Sequence, residues 1–369
     1  MEFIDLKTQY QKNKAAIDQR IHAVLDHGQF IMGSEVKALE AELSEYVGVK
    51  HCLGVANGTD ALQLALMALD VGPGDVVLTT TFSFFATAEV ISLVGATPVF
   101  VDIDPATYNM SAASLKEAIS ALSKEDIKAK ALITVDLFGL PADYIAIEAI
   151  AQENGIAVIE DAAQGFGGEL GNKKACSFGD IATTSFFPAK PLGCYGDGGA
   201  VFTKSDALAE RVASLRVHGK GTDKYDNVQI GMNSRLDTIQ AAVLLEKLSI
   251  FDAETQNKRA LADAYSTALS ERFVVPFVPE NANSSWAQYC LLPKSGGRSE
   301  YMSALKDAGI PSAIYYGKTL HKQTAYEGVK QYVDLSEAER AAQLIFSLPM
   351  HAYVTTEQVE KIVSVLNGV

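Results

Sequence analysis

The feature that most limits the fold is the regular alternation of short β-rich apolar runs with helical stretches from about residue 50 to 205. Strand candidates are residues 76–78, 98–101, 131–135, 156–160 and 200–203. Runs that are apolar throughout suit strands buried on both faces, and strands separated by helices pair in parallel. Residues 60–70 (DALQLALMALD) are apolar nearly all round and read as a buried helix; Val71-Gly72-Pro73-Gly74-Asp75 then turns the chain. The fold class implied is α/β, a mainly parallel central sheet covered by helices, with ligands expected beyond the carboxyl ends of the strands.

Residues 237–248 (DTIQAAVLLEKL) form an amphipathic helix, after which the pattern changes to a long helix, a loop rich in Pro, Asn and Ser, and mixed elements. A large domain over residues 12–248 and a smaller α+β domain over 249–369, joined by an N-terminal arm of residues 1–11, follow from this. A length of 369 residues accommodates two such cores. No internal repeat or low-complexity tract interrupts them.

A net charge of −14 with scattered basic residues disfavours duplex nucleic acid or an anionic membrane as partner. No run approaches the roughly 20 apolar residues of a membrane span, and the N-terminus has no basic-then-apolar leader. Cys52, Cys176, Cys194 and Cys290 are widely spaced, without a C-x-x-C pair. Reduced thiols and a cytoplasmic location fit, and neither the cysteines nor the histidines have metal-ligand spacing.

Three clusters carry chemistry. Ala56-Asn57-Gly58-Thr59-Asp60 precedes the buried helix, where free N–H groups and a threonine hydroxyl suit a phosphate; an ordinary helix cap built on Asn57 or Thr59 is the simpler alternative. Asp161 ends an apolar strand, with Gln164 three residues on. Such an acid can keep a pyridine nitrogen protonated, or merely cap the next segment. The following Gly165-Phe166-Gly167-Gly168 does not match the dinucleotide fingerprint. Lys190, set among prolines, apolar residues and glycines in Ser185-Phe186-Phe187-Pro188-Ala189-Lys190-Pro191-Leu192-Gly193, is desolvated enough to act as an amine nucleophile.

The run S-F-F-P-A-K-P-L-G-C-Y-G-D-G-G-A, with A-N-G-T-D-A-L, V-I-E-D-A-A-Q and M-N-S-R-L-D-T-I-Q-A-A in order, resembles the DegT/DnrJ/EryC1/StrS family of nucleotide-sugar aminotransferases. The likeness covers nearly the whole chain. It implies the fold-type I, aspartate-aminotransferase-like architecture and pyridoxal 5'-phosphate, cycling through pyridoxamine phosphate. By the resemblance, Lys190 binds the cofactor covalently and then shuttles a proton. Asp161 pairs with the ring nitrogen, Gln164 with the ring hydroxyl, and Gly58, Thr59 and Ser185 with the phosphate. Phe84 stacks on the ring, and Asn233 reaches the phosphate of a neighbouring subunit, which implies a homodimer with shared active sites.

The stretch after Lys190 resembles family members that aminate carbon 3 of a keto-sugar, those acting on UDP-2-acetamido-2-deoxy-3-oxo-glucuronate above all, with glutamate as donor, in O-antigen or related glycan synthesis. Arg235, Tyr315, Tyr316 and His321 are the substrate candidates, although a structural salt bridge is an alternative for Arg235. Two departures bear on the sugar. Tyr315-Tyr316-Gly317 stands where relatives often read H-Y-P, and Asp136 adds an acid that is tolerable only if it faces away from the cleft. A dTDP-3-oxo-6-deoxyhexose is an alternative acceptor, and a non-catalytic cofactor-binding regulator is the rival class. A dehydratase on this scaffold would carry histidine in place of Lys190.

Overall fold

Apolar runs that lack alternation become strands covered on both sides. The computed structural model describes residues 1–223 and 225–369. The first strands are β1 (His51–Val55), β2 (Val76–Thr80), β3 (Thr97–Val101), β4 (Ala129–Val135) and β5 (Ala157–Asp161). The two-residue pair β6 (Glu169–Leu170) and β7 (Lys173–Lys174) follows, then β8 (Ile181–Ser185) and β9 (Gly199–Thr203). Seven of them form one sheet in the order β1-β9-β8-β5-β4-β2-β3. The β3-β2-β4-β5-β8 pairings are all parallel. β9 pairs antiparallel with both β8 and β1, so it alone runs against the others.

The covering helices are α1 (Leu6–His27), α2 (Ser34–Val47), α3 (Gly58–Ala68), α4 (Ala86–Leu93), α5 (Ala112–Ser123), α6 (Tyr144–Asn154), α7 (Asp206–Leu215) and α8 (Thr238–Leu269). One side of the sheet packs on α2 and the first half of α8 through Leu39, Phe186, Phe202, Leu244 and Phe251. The other packs on α3 and α7 through Leu62, Leu66, Val77, Ile133 and Val212. Burial on both faces removes the polar alternation a half-solvated strand would show.

The smaller unit is built on β10 (Phe273–Val274), β12 (Tyr289–Pro293) and β13 (Phe346–Leu348), while β11 (Ala282–Asn283) pairs with β6. Its helices are α9 (Arg298–Asp307), α10 (Ser336–Leu344) and α11 (Thr356–Asn367). A boundary at 248/249 falls inside α8, an unbroken 32-residue helix. With neither glycine nor proline in that stretch, nothing stops the helix between the two cores. Leu244 and Leu245 belong to the large core, whereas Leu261, Ala262, Tyr265 and Leu269 belong to the small one. The arm is likewise shorter than residues 1–11: Asp5 caps α1 from Leu6, and Phe3 O accepts from Met350 N at 3.4 Å. Among the described residues, no helix is long and apolar enough to cross a membrane.

Candidate active site

A cleft of about 730 Å³ opens where the parallel strands end. Val135, Asp161 and Ser185 line it, and they are the last residues of β4, β5 and β8. The start of α3, the Lys190 loop, Ile4, and Gln288, Tyr315 and Tyr316 complete the walls.

At the α3 end, Asn57 is the cap: its side chain accepts from Asp60 N at 2.8 Å. That leaves Gly58 and Thr59 to face the cleft with the first N–H groups of the helix. A Cβ at Gly58 would lie 2.7 Å from Ser185 Cβ, so only glycine lets the serine approach the helix start. The result is a small cradle of N–H and hydroxyl donors.

Lys190 sits on a turn in which its N–H donates to Phe187 O at 2.8 Å. α8 holds the loop from beneath: Lys247 Nζ donates to Gly193 O at 2.6 Å, and Gln240 Oε1 accepts from Tyr195 N at 2.8 Å. Lys190 is half-buried as a residue, but its ammonium is surrounded by protein. Desolvation therefore pulls its pKa down, with the nearby Asp161 carboxylate acting the other way.

Asp161 is 4% exposed and faces the same cleft. Burial pushes its carboxyl above the ordinary range; the Ala163 N–H, the Thr87 hydroxyl and the Lys190 charge oppose that. Thr87 Oγ1 donates to Asp161 Oδ2 at 2.9 Å and lies 3.0 Å from Ser83 Oγ. The Ala163 N–H reaches Asp161 Oδ1 at 3.2 Å, yet no helix follows, so a capping duty does not account for this acid. Gln164 Oε1 accepts from Phe138 N at 2.8 Å and its Nε2 donates to the Tyr316 hydroxyl at 3.1 Å, leaving one amide hydrogen free.

Gly58, Thr59, Phe84, Asp161, Gln164, Ser185, Lys190, Tyr315 and Tyr316 thus meet in one cleft. Asn233 and Arg235 do not line it: Asn233 is exposed, and Arg235 is half-buried with no salt bridge among the described residues. His321 is not brought into the cleft either. Its Nδ1 pairs with Thr81 Oγ1 at 2.6 Å and its Nε2 with Glu339 at 3.0 Å, so both ring nitrogens are spent holding the chain together. Asp136 faces away. Its Oδ1 accepts from Ala142 N at 3.1 Å and the Tyr144 hydroxyl at 2.8 Å, beside the equally buried Glu160. Burial raises both carboxyls, and the Asp136 charge raises Glu160 further. Sequence reasoning missed Ser83, Thr87 and Gln288; the four-residue spacing of Ser83 and Thr87 at the start of α4 was the one available signal.

An amine lowered by burial, an acid across from it and a donor cradle at a helix N-terminus match pyridoxal phosphate group by group: aldehyde, ring nitrogen, phosphate. Together with the sheet, they define a pyridoxal-phosphate-dependent transferase of fold type I. The chain belongs to the DegT/DnrJ/EryC1/StrS aminotransferase family, whose model matches residues 11–367, and it is a sugar aminotransferase of that class. It is 46% identical over 369 residues, 100% of both chains, to the UDP-2-acetamido-2-deoxy-3-oxo-D-glucuronate aminotransferase of Pseudomonas aeruginosa. It is 42% identical over 366 residues, 98% of this chain and 96% of the relative, to a pleiotropic regulatory protein of Geobacillus stearothermophilus. A crystal structure of a DegT/DnrJ/EryC1/StrS aminotransferase from Brucella abortus superposes with a TM-score of 0.98 at 48% identity, covering 100% of this chain and 99% of that one.

Proposed function

We propose that this protein transfers the amino group of glutamate to carbon 3 of UDP-2-acetamido-2-deoxy-3-oxo-glucuronate or a close analogue, as a homodimer supplying a surface-glycan pathway. The observation that carries the reading is the convergence of Lys190, Asp161 and the Gly58–Thr59–Ser185 cradle in one cleft. Full-length similarity to the Pseudomonas enzyme supports the sugar.

When bound, pyridoxal phosphate supplies an electron sink for the carbon next to the transferred nitrogen. Gly58 and Thr59 N–H groups and the Ser185 hydroxyl would hold its phosphate, Phe84 its ring face, and the spare Gln164 amide hydrogen its ring hydroxyl. Asp161 would keep a proton on the ring nitrogen, and that positive partner would in turn favour the carboxylate that burial alone opposes. Lys190 would hold the cofactor through its aldehyde carbon. Once free of the cofactor, Lys190 Nζ, whose pKa burial lowers, would be placed to take a proton from the reacting carbon.

The homodimer rests on the segment bearing Asn233 and Arg235, which lies outside its own chain's cleft, and on exposed Phe30, Ile31, Val228 and Ile230. The relative carrying a regulatory name does not favour passive binding here, because Lys190, Asp161 and the Gly58–Thr59–Ser185 cradle line one cleft, which supports turnover.

A panel of aminated sugar nucleotides, each run in reverse with 2-oxoglutarate, tests the substrate. The UDP-linked 3-amino glucuronate is expected to give the highest kcat/KM. A preference for a 4-amino sugar or for a dTDP-linked 6-deoxy sugar would replace the proposed acceptor.

A further inference from the structure

The residues ahead of α1 reach the cleft at one point: among the described residues, Ile4 alone of them lines it. It is fixed from both sides. Phe3 O accepts from Met350 N at 3.4 Å, and Glu2 O lies 3.3 Å from His351 Nε2. The Asp5 carboxylate accepts from Thr8 N at 2.8 Å and from Thr8 Oγ1 at 2.7 Å. The Phe3 ring also packs against Tyr315, with centroids 6.2 Å apart. Ile4 is therefore held in place as a half-buried apolar side chain on the cleft wall.

Its position relative to the chemistry follows from a second cavity, of about 50 Å³, beyond the Lys190 loop. Ile4, Ala189 and Lys190 line both this cavity and the cleft, so the isoleucine stands beside the amine in a corner formed within one chain. A sugar whose carbon 3 is placed at Lys190 turns its carbon 2 or carbon 4 substituent to this corner. A hydroxyl set against isoleucine and alanine gives up water without gaining a partner, whereas a methyl gains by leaving water. On an acetamido sugar, the methyl of the carbon 2 substituent is the apolar group nearest the reacting carbon. Glutamate, by contrast, carries a carboxylate at each end.

We propose that Ile4 is a specificity-determining residue that packs against the methyl of the acceptor's 2-acetamido group. The assignment rests on the function proposed above and names the part of that acceptor read beside Lys190.

Calorimetric titration of the holoenzyme with UDP-2-acetamido-2-deoxyglucuronate and with UDP-glucuronate tests it. The two ligands differ only at carbon 2, and neither carries an amino or keto group at carbon 3 to react. The wild type is expected to bind the acetamido ligand more tightly. Ile4→Ala should weaken that ligand about 10-fold, the loss expected for one methyl group in an apolar pocket, and hold UDP-glucuronate within about 2-fold. Ile4→Phe, which fills the corner, should bind UDP-glucuronate in preference. A wild type indifferent to the acetamido group overturns this assignment alone, as do variants that both change the two affinities equally. A fall in kcat/KM for L-glutamate as large as the loss on the acetamido ligand gives the corner to the donor and also overturns it. A wild type that binds neither nucleotide overturns it together with the function it rests on.

Discussion

Replacing Thr87 by Val tests how Asp161 is kept ionised. Thr87 is 1% exposed, and among the described residues its hydroxyl is the only side-chain donor to Asp161 Oδ2, at 2.9 Å. Because that proton is directed at the carboxylate, the hydroxyl of Ser83, 3.0 Å from Thr87 Oγ1, must be the donor in their own contact. The substitution nearly preserves volume and removes one hydrogen bond to a charged acceptor, a contribution of about 1.5–3 kcal/mol. At roughly 1.4 kcal/mol per pKa unit, Asp161 should rise by about 1–2 units. Burial already holds this acid high, and losing a stabiliser of the charged form moves it further in the same direction. Below the new value the carboxyl is neutral and cannot hold the ring nitrogen's proton. The acid limb of kcat/KM for the glutamate half-reaction should therefore shift up by about 1–2 pH units, while the alkaline plateau stays close to wild type. Superimposable pH profiles, with cofactor occupancy matched, would refute the role given to Thr87.

Gly58→Ala should weaken cofactor binding about 10- to 100-fold, the cost of a crowded contact of roughly 1–3 kcal/mol, since the new Cβ would lie 2.7 Å from Ser185 Cβ; equilibrium dialysis of the cofactor reads it. Asp136→Asn should change the pH dependence of stability. The raised Asp136 carboxyl contributes stability that is full below the ordinary carboxylate range and is lost as pH climbs through its elevated folded value. Wild-type Tm relative to the variant should accordingly fall from acid to alkaline pH, and parallel curves would count against the raised carboxyl. If Asn233 serves the partner's cofactor, mixing Lys190→Ala with Asn233→Ala chains and allowing exchange rebuilds one intact site per mixed dimer, about one quarter of wild-type activity. Activity no greater than the sum of the parents would place Asn233 elsewhere.

What could be read from the sequence follows from how local each signal is. Strands β2, β3, β4, β5 and β9 were legible because burial on both faces made each run largely apolar, whereas β1 and β8, the latter reading IATTS, were not. Asp161 stood out because it ends such a run, and Lys190 because prolines, apolar residues and glycines flank it. The domain boundary was not legible, since α8 carries helix-forming residues across both cores without a break. Thr87 joins Asp161 across 74 positions of chain, and His321 is held by Thr81 across 240, so neither partner shows in the local pattern. Histidine in a promising segment therefore suggested a substrate contact where the fold uses it as a tie. Asp136 was noticed as an awkward acid, but its orientation depended on Tyr144 and on Gly165, whose missing Cβ would otherwise lie 2.3 Å from Asp136 Oδ2.

In the proposed function, Lys190 carries the cofactor and the cleft turns it over rather than merely storing it. Absorbance of the holoenzyme on addition of L-glutamate, for wild type and for Lys190→Ala, tests this most directly. The wild type should lose the visible band of the lysine-bound cofactor and recover it when the keto-sugar nucleotide is added, while Lys190→Ala shows neither the band nor the cycle. A wild-type spectrum unmoved by glutamate, or full turnover by Lys190→Ala, would contradict the account.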